Sequence, residues 1–238
     1  MTGMLASVRN MEEADLACRG GVDVVDLKEP REGALGAVPL DTIHRIVDEL
    51  WEKCLISATI GDMPANPFAI KEQVMKTAEA GVDYVKIGMF SQRHVEDCLP
   101  ALASCSRKGI AIIAVLFADT EFDVDDVIRS VKHAGLKGVM LDTAGKGSGS
   151  LLEHQNIYQL EYFVNRARQS GLLTGLAGSL TTENIPTLIR VAPDYIGFRT
   201  ALCSDRERVG CVDREALREV RRAIPVAPEI PYVRTSSS

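Results

Sequence analysis

The stretch GGVDVVDLK at residues 20–28 runs from a helix stop, through a β-branched segment, to two charged side chains two positions apart. A period of two puts Asp26 and Lys28 on one face of such a strand and Val25 and Leu27 on the other. Turning the charged pair toward a covering helix would bury unlike charges and leave two apolar side chains facing the strand's other side. Facing them into a mouth that admits water and ligand costs less.

The same unit recurs along the chain. Strand candidates lie at 4–8, 22–28, 55–60, 84–89, 111–117, 138–143, 172–177 and 195–200, with cores such as LISATI, AIIAVLF and LLTGLA. Helix candidates lie near 11–19, 40–51, 67–79, 92–107, 124–134, 156–169, 182–191 and 213–223. Strands apolar on both faces, interleaved with helices, predict a parallel sheet covered on both sides. Asn10 with Glu13 reads as a capping box, Asp123 and Asp213 read as N-caps, and glycines at 20–21, 81, 109, 135 and 171 close helices. Gly-Val-Asp occurs at both 21–23 and 81–83, as one turn geometry used twice would require. Eight units in 238 residues is about 30 residues each, the size of a minimal strand–helix repeat. No Gly-x-Gly-x-x-Gly follows the first strand, so an open dinucleotide-binding sheet is disfavoured. The expected fold is a single-domain α/β eight-stranded (β/α)8 TIM barrel over 1–224, with a flexible tail over 225–238.

Composition sets the remaining bounds. With 46% hydrophobic residues and 25% charged residues, the chain builds a full core and is neither disordered nor collagen-like. No apolar run approaches the roughly 18 residues of a membrane span, and Glu12, Glu13 and Asp15 stand where a signal peptide is apolar. The six cysteines show no CxxC spacing, which fits a reducing, cytoplasmic setting. A net charge of −6 argues against a nucleic-acid footprint but leaves room for a small anion in a local cleft. Small barrels of this kind commonly form closed homo-oligomers.

In such a barrel the active site gathers at the carboxyl ends of the strands, where charge is the anomaly. Asp26 and Lys28 end the second strand, Lys86 lies in the fourth, Asp142 in the sixth and Arg199 in the eighth, so even-numbered strands supply all five. Lys28 has two readings: a salt-bridge lysine for Asp26, or an amine that loses proton affinity beside another cation and attacks a carbonyl. Lys86 is then that second cation, a phosphate anchor or a structural lysine. Asp142 either caps the Thr-Ala-Gly turn or orients an ammonium and shuttles protons. Lys146, in a glycine-rich loop, either reaches inward or stays solvated. The loops after strands seven and eight hold Gly178 and Ser179, then Arg199, Thr200 and Ala201, the common phosphate position of this fold. Arg199 is the expected phosphate clamp.

Other signals are bland. His44, His94, His133 and His154 lack metal spacing, and the first three are expected at the surface of helices. Trp51, Tyr158, Tyr162 and Phe163 are expected to dock helices onto the sheet. Asp119 and Asp123 follow the fifth strand without a role. The cysteines read as small core hydrophobes.

At these same residues the chain closely resembles the (5-formylfuran-3-yl)methyl phosphate synthase family, also called 4-(hydroxymethyl)-2-furancarboxaldehyde-phosphate synthase. The resemblance covers about residues 4–223. It is carried by VVDLKEPREGALGA at 24–37, LISATIGD at 55–62, DYVKIGMF at 83–90, VMLDTAGKG at 139–147, LAGSL at 176–180 and IGFRTALC at 196–203. It implies a Schiff-base barrel that condenses two glyceraldehyde 3-phosphate molecules, for methanofuran or its methylotroph analogue. By the same match, Lys28 is the imine-forming lysine and Lys86 the proton-transfer residue, with Asp26, Asp142 and Lys146 as further polar groups. It implies phosphorylated small-molecule substrates and no nicotinamide, flavin, pyridoxal phosphate or metal. Two other classes stay open from the residues alone: another triose-phosphate aldolase or isomerase, and a non-catalytic barrel that binds a partner protein.

Overall fold

The computed structural model describes residues 1–91, 93–145, 149–204 and 206–225. Lys146 and the tail expected beyond Pro225 lie outside the described residues.

Eight parallel strands pair in chain order and close on themselves. They are β1 (Gly3–Val8), β2 (Val24–Leu27), β3 (Leu55–Thr59), β4 (Tyr84–Met89), β5 (Ile112–Phe117), β6 (Gly138–Asp142), β7 (Leu173–Leu176) and β8 (Tyr195–Phe198). The covering helices are α1 (Met11–Arg19), α2 (Leu40–Leu50), α3 (Pro67–Glu79), α4 (Leu99–Ser106), α5 (Val124–His133), α6 (Leu151–His154), α7 (Ile157–Gln169), α8 (Ile185–Val191) and α9 (Arg214–Ala223). The expected (β/α)8 barrel is the observed fold, and α6 is an additional single turn inserted after β6.

The helix-to-strand turns explain the repeated Gly-Val-Asp. Gly21 and Gly81 adopt φ of +75° and +89°, conformations that a Cβ disfavours. The following aspartates then cap the preceding strand: Met4 donates its N–H to Asp23 at 2.6 Å, and Ile56 donates to Asp83 at 2.8 Å. Asp123 and Asp213 cap α5 and α9 as expected. The capping box at α1 is only half formed. Asn10 accepts the Glu13 N–H at 2.9 Å, but the Glu13 carboxylate turns to the Arg9 N–H and to Arg199. The helix expected over 92–107 begins instead with a π-helical turn, His94–Cys98, in which Leu99 donates to the His94 carbonyl. Pro100 follows directly and has no N–H to give, so the register changes where an α-helical bond is already forfeited. That wider turn carries His94 inward, against the expectation of a surface position. It is buried, bonded to Ser91 Oγ at 2.9 Å and to the Met63 carbonyl at 3.0 Å.

Alternation along the strands divides the core in two. Val25, Leu27, Met4, Ala6 and Val8 face outward into the layer beneath the helices. Val115, Phe117, Met140 and Ala177 face inward with Ala34 and Leu35. Leu35 belongs to the loop after β2, yet it is fully buried and plugs one side of the barrel mouth. Asp62 fixes that loop by accepting the Ala34 and Leu35 N–H groups, each at 2.7 Å. Of the aromatics expected to dock helices, only Phe163 is buried; Tyr158 and Tyr162 are exposed on the outer face of α7, and Trp51 is exposed just past the end of α2, where the backbone has left the helix.

Leu35→Ala is expected to destabilise the fold by about 2–5 kcal/mol, the range for a buried leucine that leaves a cavity. Tyr158→Ala, on the surface, should change stability by less than about 0.5 kcal/mol. Urea denaturation of both variants checks this; equal costs would contradict the plug.

Candidate active site

The inward positions of the even-numbered strands bring Asp26, Lys28, Lys86 and Asp142 together at the carboxyl end of the barrel. Two ion pairs organise them. Lys86 Nζ lies 3.0 Å from Asp26 Oδ1, and Lys28 Nζ lies 3.3 Å from Asp142 Oδ2. Asp26 is completely buried and also accepts the Ser57 hydroxyl at 2.6 Å and the Ser7 hydroxyl at 2.9 Å. Asp142 takes the Thr143 N–H at 2.8 Å on its other oxygen. Lys28 is therefore paired across the barrel with Asp142, not with its strand neighbour Asp26.

The electrostatics of the two groups differ. Burial pushes the Asp26 carboxyl up, but Lys86, Lys28 and the Ser57 hydroxyl outweigh it and hold the pKa below the usual carboxylate range. Burial pulls Lys28 down from the lysine range; Lys86 and Arg208 pull it the same way, and Asp142 and Asp26 only partly offset this. Lys28 thus gives up its proton more readily than an exposed lysine, which is what a carbonyl nucleophile needs.

Lys28, Lys86 and Asp142 open into a cavity of about 420 Å³ that also touches Gly178, Ser179 and Thr200. Gly178 has φ +112°, and a Cβ there would sit 2.8 Å from Thr143 Cγ2, so the loop after β7 needs glycine for both shape and space. Ser179 is also left-handed, at φ +47°. The backbone N–H groups of Gly178, Ser179 and Thr200 bond to no protein acceptor among the described residues, so the rim offers anion-binding donors. Ala201 turns its side chain toward the outer core.

Arg199 departs from the expected phosphate clamp. Its guanidinium is buried and bonded to Glu13 at 2.6 and 3.3 Å and to the carbonyls of Ser7, Arg208 and Gly210. Those five bonds use all five guanidinium N–H donors, so Arg199 ties α1 to the segment after β8 rather than gripping a ligand. Asp119, given no role from sequence, holds the loop after β6 by accepting the N–H groups of Ala144 and Gly145. Sequence reasoning missed Ser7 and Ser57, although the period of two places both indoors beside Asp26. It also missed Arg208, whose position in an irregular loop carries no periodic signal. Among the described residues, no cluster of three His, Cys, Asp or Glu side chains could hold a metal, and no helix is long and apolar enough to cross a membrane.

Asp26→Asn leaves the Lys86 ammonium buried without its carboxylate and is expected to cost about 3–5 kcal/mol. Adding Lys86→Met should return part of that loss, as measured by chemical denaturation of single and double variants. Because the folded-state pKa of Asp26 lies below its unfolded value near 3.8, its stabilisation is present above that value and is lost as pH falls through the folded one. The double variant should accordingly show a shallower acid dependence than the wild type.

The family model described as 4-HFC-P synthase matches residues 4–221. A chain from Methylorubrum extorquens, provisionally named (5-formylfuran-3-yl)methyl phosphate synthase, is 36% identical over 225 residues, covering 94% of this chain and 92% of its own. The (5-formylfuran-3-yl)methyl phosphate synthase of Methanothermobacter thermautotrophicus is 32% identical over 231 residues, covering 93% and 98%. That of Archaeoglobus fulgidus is 33% identical over 233 residues, covering 93% and 98%. Among solved structures, phosphoribosyl anthranilate isomerase from Thermotoga maritima superposes with a TM-score of 0.67 at 16% identity, covering 94% of this chain and 98% of its own. A 3-hexulose-6-phosphate synthase gives 0.66 at 17%, covering 94% and 100%. These two likenesses concern the fold alone. The match over nearly the whole barrel, with relatives above 30% identity along their length, makes this chain a member of the 4-HFC-P synthase family of enzymes.

Proposed function

We propose that the protein condenses two molecules of glyceraldehyde 3-phosphate into (5-formylfuran-3-yl)methyl phosphate through an imine on Lys28. Atom balance across that conversion releases one phosphate and two waters. The observation that carries the reading is the enclosed Lys28 amine, stripped of water and set between Asp142 and two further cations at the wall of a cavity. The names of the relatives supply the product, and the motif resemblance supplies the triose substrate.

Neutral Lys28 attacks the carbonyl carbon of one triose phosphate, and loss of water gives the imine. Protonation of the imine nitrogen makes the adjacent C–H acidic. Lys86, held in place by Asp26, moves protons at that carbon, and Asp142, 3.3 Å from the Lys28 amine, carries them to and from nitrogen. The C–H electron pair expels phosphate from the next carbon, leaving an enol whose terminal carbon bonds to the carbonyl carbon of the second triose, isomerised to its ketone form. The new tertiary hydroxyl leaves as water, the primary hydroxyl of the second triose closes the ring on the first triose's middle carbon, and loss of a second water leaves the aromatic furan. Hydrolysis of the imine returns Lys28 and exposes the aldehyde. The free N–H groups of Gly178, Ser179 and Thr200 suit one phosphate. Lys146 completes the proposed set by its motif alone. The site would work in a cytoplasmic setting.

Incubation with glyceraldehyde 3-phosphate, followed by phosphate release and near-ultraviolet absorbance together, tests the reaction. Phosphate without the chromophore would mean simple elimination and overturn the proposal. Borohydride should trap a substrate-dependent adduct at Lys28, located by peptide mass spectrometry. Lys28→Ala should lower turnover by roughly 10³-fold or more. Lys86→Met should slow it about 10²–10⁴-fold while still permitting the Lys28 adduct. Because the Lys28 pKa is lowered, trapping should rise with pH at a midpoint below the ordinary lysine value of 10.5.

A further inference from the structure

Three of the cations lining the cavity have a carboxylate of their own: Lys28 has Asp142, Lys86 has Asp26 and Arg199 has Glu13. Arg208 lines the same cavity and forms no ion pair among the described residues. Its Nη2 donates to the carbonyls of Gly33 and Ala34, at 2.8 and 2.9 Å, across from the loop that follows β2. Its own carbonyl receives Arg199 Nε at 2.9 Å, so the backbone beneath it is anchored to the buried Arg199–Glu13 pair. These contacts occupy two of the five guanidinium donors. The Nε–H and both Nη1–H groups have no acceptor among the described residues.

From this arrangement we infer that Arg208 forms a second anion subsite, which takes the phosphate monoester of one substrate at donors distinct from the N–H groups of the Gly178–Ser179 loop. The inference rests on the proposed reaction for the identity of the ester, but the subsite itself requires only an anion. A cation held by two carbonyl oxygens is pre-oriented, so less side-chain freedom is lost when a phosphate oxygen arrives. The same grip links occupancy to the mouth: Arg208 joins the segment after β8 to the β2 loop, which Asp62 holds from its other side. The neighbouring Glu207 is exposed and also lies on the rim, where it disfavours an anion bound further out.

Inorganic phosphate titrated into the full chain, followed by calorimetry, tests the subsite without any turnover. The wild type should bind two equivalents. Arg208→Met should bind one, with affinity for the other reduced at least about tenfold, the loss of a charge-assisted hydrogen bond. Arg208→Lys should fall between them. Arg208→Gln keeps a donor for the Gly33 and Ala34 carbonyls while removing the charge, so it should lose the second equivalent with an unchanged melting temperature. This covers the case in which Arg208→Met fails to fold. In turnover, Arg208→Gln should raise KM for glyceraldehyde 3-phosphate at least about tenfold, with a smaller effect on the rate of Lys28 trapping at saturation. Wild-type phosphate stoichiometry and affinity in Arg208→Gln would overturn the subsite. Two phosphates bound by a wild type that makes no furan would overturn the proposed reaction and leave the subsite standing.

Discussion

The fully buried carboxylate of Asp26 is the constraint around which the polar interior is built. A charge at that depth is tolerable only if its lone pairs are met, and here one ammonium and two hydroxyls from three other strands meet them. The registers β1–β2 and β2–β3 set Ser7 and Ser57 directly beside Asp26, so the pairing of the strands itself delivers the partners. Holding Lys86 in this way leaves Lys28 to Asp142. The proton affinity of Lys28 falls, since burial outweighs its partners.

The barrel mouth is shared unequally between packing and chemistry. Leu35, Phe117 and Met140 fill one side, while the cavity opens toward the loops after β7 and β8. Water is displaced where the apolar plug sits, which raises the cost of charge nearby and strengthens every ion pair that remains. The loop after β2 therefore does two jobs: it buries Leu35 and lends its carbonyls to Arg208.

Much of the architecture was legible in the chain because its signals are local. Strand positions, the glycine stops and the caps at Asp123 and Asp213 depend on residues a few positions apart, and they fell where periodicity put them. The exceptions have nonlocal causes. Glu13 has the spacing of a capping-box residue, but a buried Arg199 nearly the full chain away competes for its carboxylate and wins. His94 has the look of a surface helix residue, but Pro100 and the π-turn before it change which way the segment faces.

The sequence by itself determined the eight-fold alternation, the inward face of β2 and the set of strand-end charges, because hydrophobic period and turn chemistry are written in neighbouring residues. Only the tertiary structure decided which lysine pairs with which aspartate, that Arg199 is spent on Glu13, and that Arg208 reaches the cavity. Those outcomes depend on barrel closure and on distances between strands and loops far apart in the chain, to which no spacing along the chain corresponds.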